Sequence, residues 1–259
     1  MQNSGHGRHP VSMLLKFVNN IYLKDFIFKG QIHFSSQADF RELEEKGDHF
    51  IGDHAEGSVE RDFDLSKNPV TLTKGIGSDH SKKSIRISNV DGGDLKSIRI
   101  NTIYDNSEDV GICSFYELSQ NDFEMVDTEK QLYMVNKNIC KNIQRFQGRN
   151  KTCIIVYDFP IFKRKLQIAI TKITADLIAH KAMYYDEFNR KEVKHLRANS
   201  NHGELLFAKR DSYKDQKEFR LVYKAIVPKH RELELHLGDL SDCVSTIDLT
   251  QQAVYFSKK

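Results

Sequence analysis

A glutamate and an arginine two residues apart open an apolar stretch, Glu218-Phe219-Arg220-Leu221-Val222-Tyr223, and Phe207-Ala208-Lys209, Tyr213 and Lys214 lead into it. A carboxylate at a pocket can stabilise developing positive charge, and a guanidinium can fix an anion beside it. Two further stretches set polar groups against apolar strands. One is Phe34-Ser35-Ser36, followed by Phe40, Asp53, Glu56 and Gly57; the other is Gly111-Ile112-Cys113-Ser114-Phe115. Each has a plainer reading. Residues two apart share one strand face, so Glu218 and Arg220 can simply pair with neighbours. Ser35 and Ser36 suit a turn, and Cys113 within an apolar run suits a buried thiol.

Other chemistry finds less support. His54, His80 and His202 stand beside Asp or Gly in loop-like sequence and build no triad. Gly75-Ile76-Gly77-Ser78 lacks the lysine and helix of a phosphate loop, and no dinucleotide fingerprint occurs. Cys113, Cys140, Cys153 and Cys243 are far apart, which predicts reduced, buried thiols in a cytoplasm rather than disulfides. The 11 histidines meet none of them at metal-ligand spacing, so no metal site is expected. Lys82, Lys83, Arg86, Lys96 and Arg99, with Lys163, Arg164 and Lys165, offer local basic patches for nucleic acid. Asp79, Asp91 and Asp94 lie among the first group, and charge runs are commonly solvated faces.

The elements that must position these residues follow from periodicity. Met13 to Phe28 reads as strand, turn and short helix, broken at Asn19-Asn20 and closed by Gly30. Residues 31–36 alternate, which turns Ile32 and Phe34 inward, and 38–45 read as a short exposed helix. Residues 84–88 and 97–104 read as a hairpin about Asp91-Gly92-Gly93. Val110 to Phe115 is a buried strand, and a helix-compatible polar stretch follows through Phe146 to Gly148. Residues 152–159 form the most apolar strand, expected at the sheet centre and halted by Pro160 before a helix through Ile170. Strands are expected at 181–186, 219–226, 233–237, 244–249 and 253–256, with a charged helix or loop at 187–198.

The 259 residues are 39% hydrophobic and 29% charged, with a net charge of +3, enough apolar material for a core and too little charge for general nucleic-acid binding. No apolar run approaches the ~20 residues that span a bilayer. The expectation is an α+β domain over 13–259, with a mixed, mostly antiparallel sheet and flanking helices, preceded by a loose tail over 1–12.

Taken together, the Phe34-Ser35-Ser36 turn with Phe40, the Gly111 to Phe115 stretch and the Lys209, Tyr213, Glu218-Phe219-Arg220 run resemble the bacterial family known as domain of unknown function 2971. The chain departs from it in carrying Arg41-Glu42-Leu43 after Phe40, where the family commonly has Asn-Asp-Pro, and in having no Trp. The opening segment and Glu218 also resemble, more faintly, ADP-ribosyltransferase folds, in which a split sheet cradles NAD and a glutamate orients the ribose. These resemblances imply an NAD-consuming transferase or glycohydrolase, toxin-like and serving in phage defence. Glu218 and Arg220 would then be catalytic, Lys16, Ser35, Ser36 and Phe40 would hold NAD, and a macromolecule would be the target. The alternative is a non-catalytic module that binds nucleic acid or protein.

Overall fold

The computed structural model describes residues 13–36, 39–40, 42, 110–130, 132–148, 150–172, 176–198, 204–224 and 233–249, together with the backbone of strands at 58–64, 70–74, 83–87, 97–103 and 255–257. The expected tail over 1–12 and most of the helix expected at 38–45 lie outside them, although Asp39, Phe40 and Glu42 are helical. The architecture is α+β, a large antiparallel sheet flanked by helices.

Strand β1 (Met13–Asn19) gives way to a 3-10 turn where the Asn19 side chain accepts from the Ile21 N–H at 3.2 Å, and helix α1 (Leu23–Lys29) follows. Gly30 ends that helix with φ 60°, and a Cβ there would meet Leu237 Cβ at 2.8 Å. Both the left-handed turn and the close approach therefore require glycine. In β2 (Gln31–Ser36), Ile32 and Phe34 are buried as the alternation predicts.

The hairpin expected about Asp91-Gly92-Gly93 is corrected. Strand β3 (Ser58–Asp64) pairs with β6 (Ser97–Ile103), while β4 (Val70–Lys74) pairs with β5 (Lys83–Ile87). The ladders are nested, so the reversal falls between Lys74 and Lys83. Alternation locates strands but does not choose their partners, and four short alternating segments allow several registers. Arg86 stands opposite Thr71 and Arg99 opposite Asp62, on separate ladders; Lys82 and Lys96 lie outside the described residues.

After β7 (Gly111–Leu118) the expected helix is also corrected. Strands β8 (Phe123–Asp127) and β9 (Leu132–Val135) come first, joined by a turn in which the Lys130 N–H donates to Asp127 at 3.0 Å. After a 3-10 turn at Gln120–Asp122 ahead of these strands, the α-helix among the described residues of this stretch is α2 (Lys137–Gln147), started by Asn136 accepting from the Asn138 N–H at 2.9 Å. Strand β10 (Lys151–Val156) leads into α3 (Phe159–Ile170). Pro160 sits in the first turn of α3 rather than halting a strand, because the first helical N–H groups need no helical partner. Asp158 caps that turn by accepting from the Ile161 N–H at 3.0 Å.

Strands β11 (Asp176–Lys181) and β12 (Met183–Tyr185), helix α4 (Arg190–Ala198), β13 (Ala208–Arg210), β14 (Glu218–Lys224), β15 (Leu233–His236), β16 (Val244–Ile247) and β17 (Tyr255–Ser257) complete the described elements. The principal sheet runs β11-β14-β7-β1-β10-β16, and β2 joins it by pairing with both β7 and β15. The apolar β10 is thus interior but next to the edge strand, while β7 and β1 hold the centre. No helix among the described residues is long and apolar enough to cross a membrane.

The two faces of the sheet differ. On one, Phe115, Leu221 and Tyr223 pack with Leu14, Ile154, and Phe162 and Leu166 of α3. On the other, α2 covers an apolar group around Leu15, Tyr116 and Ile155, while Ile112 and Val222 join Leu206 and Phe207 in a second group. Between those two groups lies a polar seam.

Candidate functional site: a cationic cleft at a split in the sheet

The seam follows from strand register. Along this face β7 presents Ile112, Ser114 and Tyr116, opposite Val222, Arg220 and Glu218 of β14. Two strands share the other edge of β7: β1 pairs with Tyr116 to Leu118, and β2 pairs with Gly111 and Ile112. Neither pairs with residues 113–115, so the sheet splits there. Lys16, the residue at which β1 leaves β7, places its ammonium in the split, 2.7 Å from the Ser114 carbonyl and 3.4 Å from Cys113 Sγ. A carbonyl that has lost its strand partner is thereby satisfied.

Beside the split opens a cleft of about 350 Å³. Glu218 lies in its lining and is buried, with Lys209 next to it and Arg220 wholly buried behind. The carboxylate is fully engaged. Oε1 accepts from Arg220 Nε at 2.9 Å and from the Ser114 hydroxyl; Oε2 accepts from Lys209 Nζ at 2.8 Å and Arg220 Nη2 at 3.1 Å. Four donors occupy about as many lone-pair positions as a carboxylate has. Burial alone would raise the Glu218 pKa, but the adjoining Arg220 and Lys209 charges outweigh it and hold the carboxyl well below the usual carboxylate range.

Neighbouring elements brace this cluster. Arg220 Nη1 donates to the Leu206 carbonyl at 2.8 Å. The Glu218 N–H donates to the Tyr184 hydroxyl at 2.8 Å, and Tyr184 belongs to β12, which runs parallel to the β13 strand that carries Lys209. The Lys209 ammonium also lies 5.0 Å from the centre of the Tyr213 ring. Desolvation raises the Tyr184 phenol above its ordinary pKa.

The lining contains the cations Lys16, Arg145, Lys151 and Lys209 against one carboxylate, Glu218. Arg145 and Lys151 make no salt bridge with a described residue. Phe17 and Phe146 stack at 5.9 Å on one wall, with Tyr116 edge-on to Phe146 at 5.8 Å. Tyr116 is buried, and its hydroxyl makes no hydrogen bond among the described residues. Desolvation, then the nearby Asp122 and Asp215, raise its pKa, so it is a protonated donor at neutral pH. The arrangement suits an anion carrying a flat ring.

No family model matches the chain, and neither the curated proteins nor the solved structures contain a match.

Of the residues singled out from sequence, Lys16, Phe40 and Glu218 line this cleft together and Arg220 supports it from beneath. Ser35 and Ser36 are not in its lining. They pair with Ile112 and Gly111 on the β7 edge, and the Ser36 hydroxyl donates to Asp39 at 2.7 Å. Asp53, Glu56 and Gly57 lie outside the described residues. Lys163 and Arg164 are exposed on α3, where Lys165 pairs with Asp242 at 2.7 Å. Sequence reasoning noticed Lys209 and Ser114 without giving either a role, and it missed Arg145, Lys151 and Tyr116. Lys209 precedes the Glu218-Phe219-Arg220 motif by one short 3-10 helix, Asp211–Gln216, a closeness in sequence that was legible. Arg145 and Lys151 flank Gly148 between a helix and a strand, and nothing local distinguishes them from other surface cations.

Proposed function

We propose that the cleft binds a nucleotide-class anion, with NAD as the ligand that the family resemblance brings forward. The observation that carries this reading is the lining itself: four cationic side chains, aromatic walls and a single carboxylate already neutralised by its neighbours. Lys16, Arg145 and Lys151, which make no salt bridge with a described residue, attract phosphate, and rings stack on a base. Its volume of about 350 Å³ falls within the range of about 300–1,000 Å³ usual for small-molecule sites. In this reading Glu218 is a positioning residue that fixes Lys209 and Arg220. Titration calorimetry with ADP and NAD tests it. Micromolar binding that weakens about tenfold in Lys151→Ala or Arg145→Ala, neither of which makes a salt bridge with a described residue, with Tm little changed, supports it; no binding of either nucleotide refutes it.

A second reading, turnover of NAD, is favoured by Glu218 lying in the cleft lining. A carboxylate there would stabilise the positive charge that grows on the ribose as nicotinamide leaves. The two cations on Glu218 oppose this, because their charges offset the field a departing nicotinamide needs. Nicotinamide release by the wild type that disappears in Glu218→Gln, with nucleotide affinity retained, would favour turnover. Binding without release would leave the protein a nucleotide-binding module.

A further inference from the structure

Helix α2 carries a row of cations that runs into the cleft. Lys137, Lys141 and Arg145 stand at four-residue spacing, and all three are exposed on the side opposite the buried Cys140 and Ile143. Each step along the row is about 6 Å of helix rise. Arg145 reaches the cleft, whose lining also holds Lys151 and Lys16. None of these five cations makes a salt bridge with a described residue. The row works against the helix that bears it. Like charges four residues apart repel, α2 has no acidic residue to offset them, and Lys137 sits in the first turn, where the helix dipole disfavours a cation. A second recess of about 190 Å³ shares Arg145 and Phe146 with the cleft but carries the Asp215 carboxylate, so an anion that follows the row past Arg145 is turned toward the cleft.

We infer that the row is a track for a single-stranded nucleic acid whose end nucleotide occupies the cleft. The inference rests on the nucleotide reading of the cleft and names a polymeric partner for it. Successive phosphates lie over Lys137, Lys141 and Arg145, and the last base stacks against the wall formed by Phe17 and Phe146. A cationic path along the backbone and an aromatic platform for a base are the two parts of a sequence-tolerant single-strand site. A duplex has no free base to offer, because its bases are already paired and stacked on one another. An acidic protein segment matches the charge of the row but leaves the aromatic wall without a ring to stack on it.

Fluorescence anisotropy on the full chain tests this, with a labelled mixed-sequence single-stranded DNA of about 12 nucleotides and the RNA of the same sequence. The wild type is expected to bind at least one of the two, the tighter identifying the sugar, and saturating ADP should displace it. Combining Lys137→Gln with Lys141→Gln should weaken oligonucleotide binding about tenfold and lower its salt slope by about 1.4, since each phosphate contact on a single strand contributes about 0.7. ADP affinity measured by calorimetry should stay within about twofold, because neither lysine lines the cleft. Both lysines are exposed, so unchanged thermal unfolding of the double variant verifies that the comparison is made on folded protein. An oligonucleotide that binds the double variant as tightly as the wild type, or that saturating ADP leaves in place, overturns the inference. A hairpin duplex that binds as well as the single strand does the same. Polyglutamate that displaces the strand as effectively as unlabelled DNA would assign the row to an acidic protein instead. Failure of both oligonucleotides while ADP still binds removes the track alone, whereas failure of ADP as well overturns the nucleotide reading with it.

Discussion

Strand β14 shows two ways of filling a buried face. On one side Phe219, Leu221 and Tyr223 face Phe115 and the α3 residues Phe159 and Phe162, an aromatic and aliphatic packing in which Phe115 meets Phe162 edge-on at 5.9 Å. On the other, Glu218 and Arg220 are as deeply buried but are held by charge and hydrogen bonds to Lys209, Ser114 and Leu206. Dispersion and burial stabilise the first side without further conditions. The second must recover the cost of desolvating three charges, and well-packed apolar residues there would often be as stable. A fold gains little by keeping ions at such a place, whereas a binding site gains a fixed electrostatic field.

The contrast is broken most severely by removing one member of the ionic side. Glu218→Ala leaves Lys209 and Arg220 buried without their counter-ion and should destabilise by about 3–5 kcal/mol in chemical denaturation. Phe162→Ala should cost a similar about 3–5 kcal/mol through the cavity it leaves. Nucleotide affinity per folded molecule should survive Phe162→Ala and fall in Glu218→Ala, which separates the two faces. A combined Glu218→Leu, Arg220→Met, Lys209→Met variant sharpens the point: stability within about 1–2 kcal/mol of wild type, with binding abolished. Equal loss of stability in this variant and in Glu218→Ala would show that the ions hold the fold itself.

How far this contrast was legible in sequence depends on the range of the contacts. The alternation of Gln31 to Ser36 and the Asn19 and Gly30 breaks around α1 are local signals, and those elements stand where the sequence puts them. Partner choice is not local. The sequence pairs residues 84–88 with 97–104, but the strands at 83–87 and 97–103 each pair with a strand N-terminal to both. For the same reason Glu218 and Arg220 could be seen to share a face, whereas their clamp on Lys209 and Ser114, and the approach of Arg145 and Lys151, required the assembled sheet. Ser35 and Ser36 show the opposite outcome: serines that looked site-like extend a strand.

Acid provides a milder probe. Glu218 has a folded-state pKa below its unfolded value of about 4.3, so its contribution is present in full above that value and is lost as pH falls below it. The groups facing it are Lys209, Arg220, Ser114 and Tyr184. The Tm gap between wild type and Glu218→Gln should therefore be widest near pH 7 and shrink between about pH 5 and pH 3. A gap that stays constant would remove Glu218 ionisation from the stability of the seam. The smallest effect concerns the thiols, all four of which are buried; burial pushes Cys153 and Cys243 up to about 12. None should react with a thiol reagent at neutral pH until the protein unfolds, and rapid native-state labelling would contradict that burial.

The nested ladders also bear on the order of folding. Closing Lys74 on Lys83 spans a short loop, and each later pair, out to Ser58 with Ile103, adds to an ending already made. Pairing Met13 with Leu118, or Val156 with Val244, demands that far longer stretches of chain be brought together first. Loop-closure entropy rises with that separation, so each of these two ladders closes at a lower entropic cost than the pairings of the principal sheet. Pairing within these ladders shortens the effective tether across which β2 and β7 must find each other.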